Sequence, residues 1–147
     1  MKIVSYDTSY KVSVYEFTSR CFEELGKRFE PEGRHSFYED IEGHFDVFFC
    51  LVDSGKIVGT AACKRIDDDT AELKALYLES SLRGQGLGAS LLDKVIDHAR
   101  KNGYKRIVLD SMSKYEAALR LYERAGFVMT ERYNDNPCAD IFMQLEL

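Results

Sequence analysis

The sequence predicts a single-domain α/β fold over residues 1–147, a central mixed and mostly antiparallel sheet of about seven strands with helices on both faces. Three observations lead there. Between Phe45 and Leu78 three apolar stretches follow one another across short polar turns, the connection that joins antiparallel neighbours. From Leu87 onward the apolar residues switch to helical spacing. That helix stands between two strand-like runs, and a strand–helix–strand passage requires a parallel pair in the same sheet.

Residues 3–6 make a short strand. Thr8 or Ser9 can cap a helix running to about Leu25, with Val14, Phe17, Cys21, Phe22 and Leu25 on one face and Gly26 to end it. Residues 27–44 are polar with scattered aromatics (Phe29, Phe37, Tyr38) and read as a loop with one short helix. Residues 45–52 and 57–65 are strands joined by the turn Asp53-Ser54-Gly55-Lys56, a hairpin signal. Residues 70–78 form the third strand, after the charged turn Asp67-Asp68-Asp69. In the next helix Leu87, Leu91, Leu92, Val95, Ile96 and Ala99 share a face, opposite Ser90, Asp93, Lys94, Asp97, His98 and Lys101. Asn102-Gly103 closes it. Residues 105–111 are a strand whose Ile107-Val108-Leu109 run suits burial on both faces. Ser113-Lys114-Tyr115-Glu116 has the pattern of a capping box, Ser113 as N-cap and Glu116 three residues on. Ala117, Ala118, Leu121, Tyr122 and Ala125 line one face of the helix that follows, and Gly126 stands where a terminating glycine belongs. Residues 127–133 and 141–147 are the last two strands.

Composition narrows the function. A chain of 147 residues buries roughly 68–70% of its unfolded surface, so one core suffices. Two Pro and ten Gly exclude collagen-like and low-complexity classes. The longest apolar run, residues 47–52, is far short of the roughly 18 residues a membrane helix needs. A net charge of -5 disfavours nucleic-acid binding, which rests on basic surfaces. Met1-Lys2-Ile3-Val4-Ser5-Tyr6-Asp7 is not followed by the apolar stretch of a signal peptide, so a cytoplasmic location is expected. Cys21, Cys50, Cys63 and Cys138 lie far apart without zinc-type spacing and are expected as buried or free thiols. His35, His44 and His98 are scattered, with no nucleophilic triad or metal set in their spacing.

The informative segment is Arg83-Gly84-Gln85-Gly86-Leu87-Gly88-Ala89. Each glycine at a helix start costs about 1 kcal/mol against alanine. Three together point to a need for bare backbone, either a tight turn or the close approach of a ligand. A helix N-terminus offers about four unpaired N–H donors and roughly half a positive charge, which suits a phosphate. The run also satisfies the dinucleotide fingerprint G-x-G-x-x-G/A, and Asp110 follows Ala89 by 21 positions, where a ribose-binding acid would sit. Residues 79–83 nevertheless separate the glycines from their strand, antiparallel turns precede them, and only 58 residues follow Ala89. That is too little chain for a doubly wound sheet. A Walker Gly-Lys-Ser/Thr pattern is absent as well.

Here the sequence resembles the GCN5-related N-acetyltransferase (GNAT) family. That family's pyrophosphate signature, [Gln/Arg]-x-x-Gly-x-[Gly/Ala], is matched by Arg83-x-x-Gly86-x-Gly88. Glu72-Leu73-Lys74-Ala75-Leu76-Tyr77-Leu78 is similar to the family's fourth strand, Asp110-Ser111 to the end of its fifth, and Ala118-x-x-Leu121-Tyr122-x-x-x-Gly126-Phe127 to its last helix and the strand after it. Tyr133-Asn134-Asp135-Asn136-Pro137 and the terminal Phe142-Met143-Gln144-Leu145-Glu146-Leu147 resemble a subgroup of small bacterial members. The resemblance covers residues 45–147; residues 1–44 match in helix placement alone. One departure stands out: many members carry a cofactor-contacting Asn seven residues before the helix tyrosine, and Tyr115 occupies that position. Ser113 or the Tyr115 hydroxyl can replace the contact.

The resemblance implies acetyl transfer from acetyl-CoA, a cosubstrate, to a primary amine by direct attack in a ternary complex without a metal. A non-catalytic acyl-CoA sensor and an assembly subunit are the alternatives. An amine with a pKa near 10.4 must lose its proton, a deficit at pH 7 of about 4.6 kcal/mol. A positioned base recovers part of this, since such groups contribute about 10²–10⁴ in rate. By resemblance the base is Glu72, often acting through water; by residue type alone Glu72 is an ordinary strand carboxylate. The family places an oxyanion-binding N–H near Leu76, exposed where residues 70–78 splay from residues 105–111, with Leu76, Tyr77 and Leu78 on the pantetheine arm. Without the resemblance those three read as core. Tyr122 is the implied acid for the thiolate, and core packing is its other reading. Arg83, Gly84, Gln85, Gly86, Leu87, Gly88 and Ala89 would hold the diphosphate. The acceptor, a small molecule or a peptide amine, would be shaped by residues 27–44 and 133–140. Glu39, Asp40 and Glu42 hint at a cationic one, though a solvated loop explains them too. Residues 141–147 can either pair across a homodimer or lie within the protomer's own sheet.

Overall fold

The computed structural model describes residues 1–147. β1 (Lys2–Ser5) leads through a short 3-10 turn into α1 (Lys11–Glu24). A loop follows, containing a 3-10 turn over Ser36–Asp40 and the single-turn α2 (Ile41–His44). Next come β2 (Val47–Asp53), β3 (Lys56–Arg65) and β4 (Thr70–Leu78), then α3 (Leu87–Lys101), β5 (Arg106–Ser111), α4 (Glu116–Ala125), β6 (Val128–Met129) and β7 (Ile141–Glu146). The seven strands form one sheet in the order β1-β2-β3-β4-β5-β7-β6. β4 and β5 are parallel and every other pair is antiparallel. The expected fold class is the observed one.

Each helix buries one stripe against the sheet. The apolar face of α3, Leu91, Leu92, Val95, Ile96 and Ala99, packs with Tyr122 of α4 on Val58, Ala61, Leu73, Ile107 and Leu109. On the opposite face Val14, Phe17 and Cys21 of α1, with Tyr38, Ile41 and Phe45, cover Phe48, Cys50, Ile57 and Ala62. Gly59 is a close-approach point, because a Cβ there would stand 3.0 Å from Leu91 Cδ1 and 3.2 Å from both Leu51 and Leu78.

Local expectations differ in three places. The start of the first helical segment is capped by Asp7, whose carboxylate accepts from the Ser9 N–H at 2.8 Å, rather than by Thr8 or Ser9. An Asp cap carries a full charge against the helix dipole, so it outcompetes a hydroxyl. The capping box at Ser113 does not form. Tyr115 is the N-cap residue without a side-chain bond, and Ser113 gives both its N–H and its hydroxyl to Asp140, each at 2.7 Å. A carboxylate 27 positions away is the stronger acceptor. The expected strand over residues 127–133 shortens to two residues, since β6 lies at the sheet edge, Arg132 donates to carbonyls of the following loop and Tyr133 turns to Glu72. β7 lies between β5 and β6 in the protomer's own sheet, one of the two readings open for residues 141–147.

Candidate active site

Parallel pairing of β4 with β5 runs only from Thr70↔Arg106 to Glu72↔Val108 and then stops. Beyond that point β4 keeps β3 as its neighbour, while β5, paired with β7 along its whole length, has no strand partner on the side facing β4. The outer half of β4, from Lys74 to Leu78, is accordingly half-buried, whereas Thr70 to Leu73 are buried. The predicted splay is present. Within it Ala75 has φ +53°, and Ala75 and Leu76 together face Ala61 on β3, a bulge between the Thr60↔Tyr77 and Ala62↔Lys74 pairs. A left-handed non-glycine residue costs about 1–2 kcal/mol. The buried Thr60 hydroxyl offsets part of that cost by donating to the Ala75 carbonyl at 2.7 Å. The bulge re-aims the backbone at Leu76, where the sequence reading puts the oxyanion donor.

β4 leads toward the glycine turn. Gly84 and Gly86 have φ of +81° and +78°, and a Cβ on either would meet open space. Their requirement is therefore conformational. Gly86 is the N-cap of α3 and brings no side chain to it; the first helical bond is Ser90 N–H to the Gly86 carbonyl at 3.1 Å. The amides of Leu87, Gly88 and Ala89 are thus left without an intrahelical acceptor beside the exposed Arg83 and Gln85. Gly88 differs, because a Cβ there would meet Leu121 Cδ2 of α4 at 3.4 Å, an ordinary van der Waals contact. That approach sets α4 beside the turn.

Glu72 is not a solvated strand carboxylate. It is only 4% exposed, accepts the Tyr133 hydroxyl and pairs with Lys74 Nζ at 3.3 Å. Lys74 also reaches Asp110 at 3.8 Å, and Asp110 accepts Asn134 Nδ2 at 2.6 Å. Burial first, then the charge of Glu72, raises the Tyr133 phenol well above its ordinary range, so it stays protonated and donates. The sequence reaches Glu72 only through the resemblance and gives no sign of Lys74 and Tyr133 as its neighbours, nor of Asn134 as a partner of Asp110. The sequence offers Asp110 as the acid of a dinucleotide site and as the end of the family's fifth strand, and neither reading links it to Lys74 or Asn134. The signal for the loop lay in Tyr133-Asn134-Asp135-Asn136-Pro137, whose polar residues cluster without an obvious local role.

The Tyr122 ring is 7% exposed and packs near Phe127, 6.0 Å between ring centres. Burial, with the charge of Asp110 second, pushes its phenol up to about 12. It is therefore protonated at neutral pH. Ser113, predicted as a cofactor contact, has its hydroxyl committed to Asp140. The Tyr115 hydroxyl is buried and has no hydrogen-bond partner. Tyr77 lies against Phe22 at 5.3 Å, and Lys27 Nζ sits 5.6 Å from the Tyr77 ring, 5.1 Å from Phe22 and 5.5 Å from Tyr115. Burial among these rings pulls the Lys27 ammonium below its ordinary range. Leu76 and Leu78 contact the α3–α4 core from its edge.

The profile of the Acetyltransferase (GNAT) family matches residues 11–127. N-acetylaspartate synthetase of Danio rerio is 36% identical over 99 residues, 63% of this chain. The chain spans only 35% of that relative's length. The crystal structure of a GNAT-family acetyltransferase from Staphylococcus aureus superposes with a TM-score of 0.91 at 24% identity, covering 99% of this chain and 98% of that one. yncA of Salmonella typhimurium, solved with its cofactor acetyl-CoA, gives a TM-score of 0.75 at 25% identity, covering 99% and 93%.

Proposed function

Because the chain belongs to the GNAT acetyltransferase family, we propose that it moves an acetyl group from acetyl-CoA to a primary amine by direct attack within a ternary complex. The observation that carries this reading is the end of β4–β5 pairing at Glu72↔Val108, which opens a cleft along β4 toward the N-terminus of α3. An extended amide-bearing arm can lie along a strand edge of that kind and borrow its hydrogen bonds. The diphosphate then meets the amides of Leu87, Gly88 and Ala89, with Gly84 and Gly86 shaping the turn and Arg83 and Gln85 flanking it. Leu76, Tyr77 and Leu78 bind the pantetheine arm.

Glu72 takes the proton of the incoming amine, through water, since Tyr133 and Lys74 already occupy part of its carboxylate. The neutral nitrogen attacks the thioester carbon and the carbonyl oxygen gains negative charge. A backbone N–H at Leu76, fixed by the Ala75 bulge, stabilises that oxygen. The C–S bond breaks, and Tyr122 donates its proton to the leaving sulfur. Tyr115 rather than Ser113 takes the place of the family's helix-flanking Asn, because its buried hydroxyl lacks a partner. The acceptor meets Glu72 and Asp110 with a single lysine between them, a balance that favours a cationic amine.

The test is thiol release from acetyl-CoA by the purified chain against polyamines, amino acids, aminoglycosides and peptide N-termini. Release that depends on one acceptor class, with an equal yield of acetylated amine, is expected. Tight acetyl-CoA binding with no release for any amine would replace the enzyme reading with that of a sensor.

A further inference from the structure

The end of the sheet remote from the glycine turn carries a second cluster. Asp46 precedes β2, Cys63 lies on β3 and His98 lies in the last turns of α3. A carboxylate oxygen, the thiol sulfur and an imidazole nitrogen from these three lie within 4.8 Å of one another. His98 Nε2 is buried without a hydrogen-bond partner, and buried polar atoms seldom lack one. Its separation from Asp46 Oδ2 is 3.6 Å, too long for a hydrogen bond. Two ligands bonded at about 2.0–2.2 Å to one tetrahedral ion stand about 3.4 Å apart. The distance thus suits a shared ion better than a direct contact. The cluster opens on a polar cleft of about 470 Å³ that Asp46 and His98 line with Tyr104 and Asn102.

We propose that Asp46, Cys63 and His98 bind a divalent cation of the zinc class, with water from the cleft as fourth ligand. Sulfur, nitrogen and oxygen together match a borderline-soft ion, whereas calcium and magnesium take oxygen alone. One thiolate and one carboxylate cancel the ion's two charges, so the half-buried site becomes neutral. On binding, the Cys63 S–H bond breaks, a sulfur–metal bond forms and the proton leaves to solvent; the metal's oxidation state is unchanged. Tyr104 already donates to Asp46 Oδ2 and holds the carboxylate in place, as outer partners of metal ligands do. The ion would tie the C-terminal end of α3 to β2 and β3. This role is structural and lies away from the acetyl-transfer cleft. The ligands fall 17 and 35 positions apart, outside any zinc-motif spacing, so sequence alone gave no sign of them.

The test uses the full chain stripped with a chelator and then titrated with cobalt(II), followed by zinc(II). One equivalent of cobalt with a thiolate-to-metal charge-transfer band is expected, displaced by zinc and unchanged in Cys138→Ser, which removes the exposed thiol. Cys63→Ala abolishes the band. His98→Asn and Asp46→Asn, at partly exposed positions outside the two apolar cores, weaken binding at least 100-fold. Zinc raises the Tm of the wild type and chelator reverses the rise, while His98→Asn shows no rise. Absence of the band in the wild type, its survival in Cys63→Ala, or equal zinc affinity in His98→Asn would overturn the proposal.

Discussion

At the scale of single residues the proposed reaction rests on where protons sit. Tyr122 is buried, and its phenol, raised to about 12, keeps its proton throughout the working range. Tyr122→Phe retains the packing and removes the O–H, so kcat is expected to fall at least tenfold, about 1.4 kcal/mol of barrier, with acetyl-CoA affinity little changed. Steady-state kinetics alongside calorimetric coenzyme titration checks both halves, and an unaltered kcat would remove Tyr122 from the reaction. The same group ties stability to alkaline pH. An unfolded tyrosine ionises near 10, ahead of the folded one near 12, so the stabilisation is whole below pH 10 and declines as pH rises toward 12. Urea unfolding across that window should show a shallower decline in Tyr122→Phe. Glu72 is held between a phenol donor and an ammonium. Glu72→Gln keeps the shape and removes the proposed base, and kcat/KM should drop by about 10²-fold or more near neutral pH. The loss should shrink as pH approaches the amine's own pKa, a profile that a purely packing role would not produce.

Among elements, the turn before α3 carries the sharpest contrast. Gly86 has φ +78° with open space around a Cβ, while Gly88 has ordinary φ and a neighbour at 3.4 Å. Gly86→Ala meets left-handed strain of about 1–2 kcal/mol and should lower Tm by several degrees while weakening acetyl-CoA binding. Gly88→Ala should leave both nearly unchanged, since Leu121 can accept a methyl group at van der Waals distance. Differential scanning and coenzyme titration of the two variants separate conformational need from steric need. If Gly86→Ala bound acetyl-CoA as the wild type does, the turn would not be gripping the diphosphate. β4 shows the same division of labour along one strand. Its inner half is locked between β3 and β5, and its outer half, freed by the splay and bent by the Ala75 bulge, faces the cleft.

For the whole molecule, stability resides in the two cores on either side of the sheet. Leu92 is 1% exposed in the larger one. Leu92→Ala should cost about 2–5 kcal/mol in chemical denaturation, a large part of the roughly 5–15 kcal/mol a domain possesses. A smaller loss would mean that α3 settles into the gap.

The sequence by itself determined the kind and order of the elements, because helical and strand periodicity, turns and glycine positions are set by interactions within a few residues. It also marked the turn at residues 83–89 and, through resemblance, Glu72 and Tyr122. Local patterns failed where a distant group was the better partner: Ser113 turned from its own helix to Asp140, and Arg132 and Tyr133 left the strand for contacts elsewhere. Only the tertiary structure decided that β4 and β5 part after Glu72, that Tyr133 reaches a carboxylate 61 positions away, and that His98, on the polar side of its helix by periodicity, turns toward Asp46 with 20% of its side chain exposed. Each is a contact between segments far apart along the chain. Its energy comes from burial and charge in the assembled fold, and no short-range pattern encodes it.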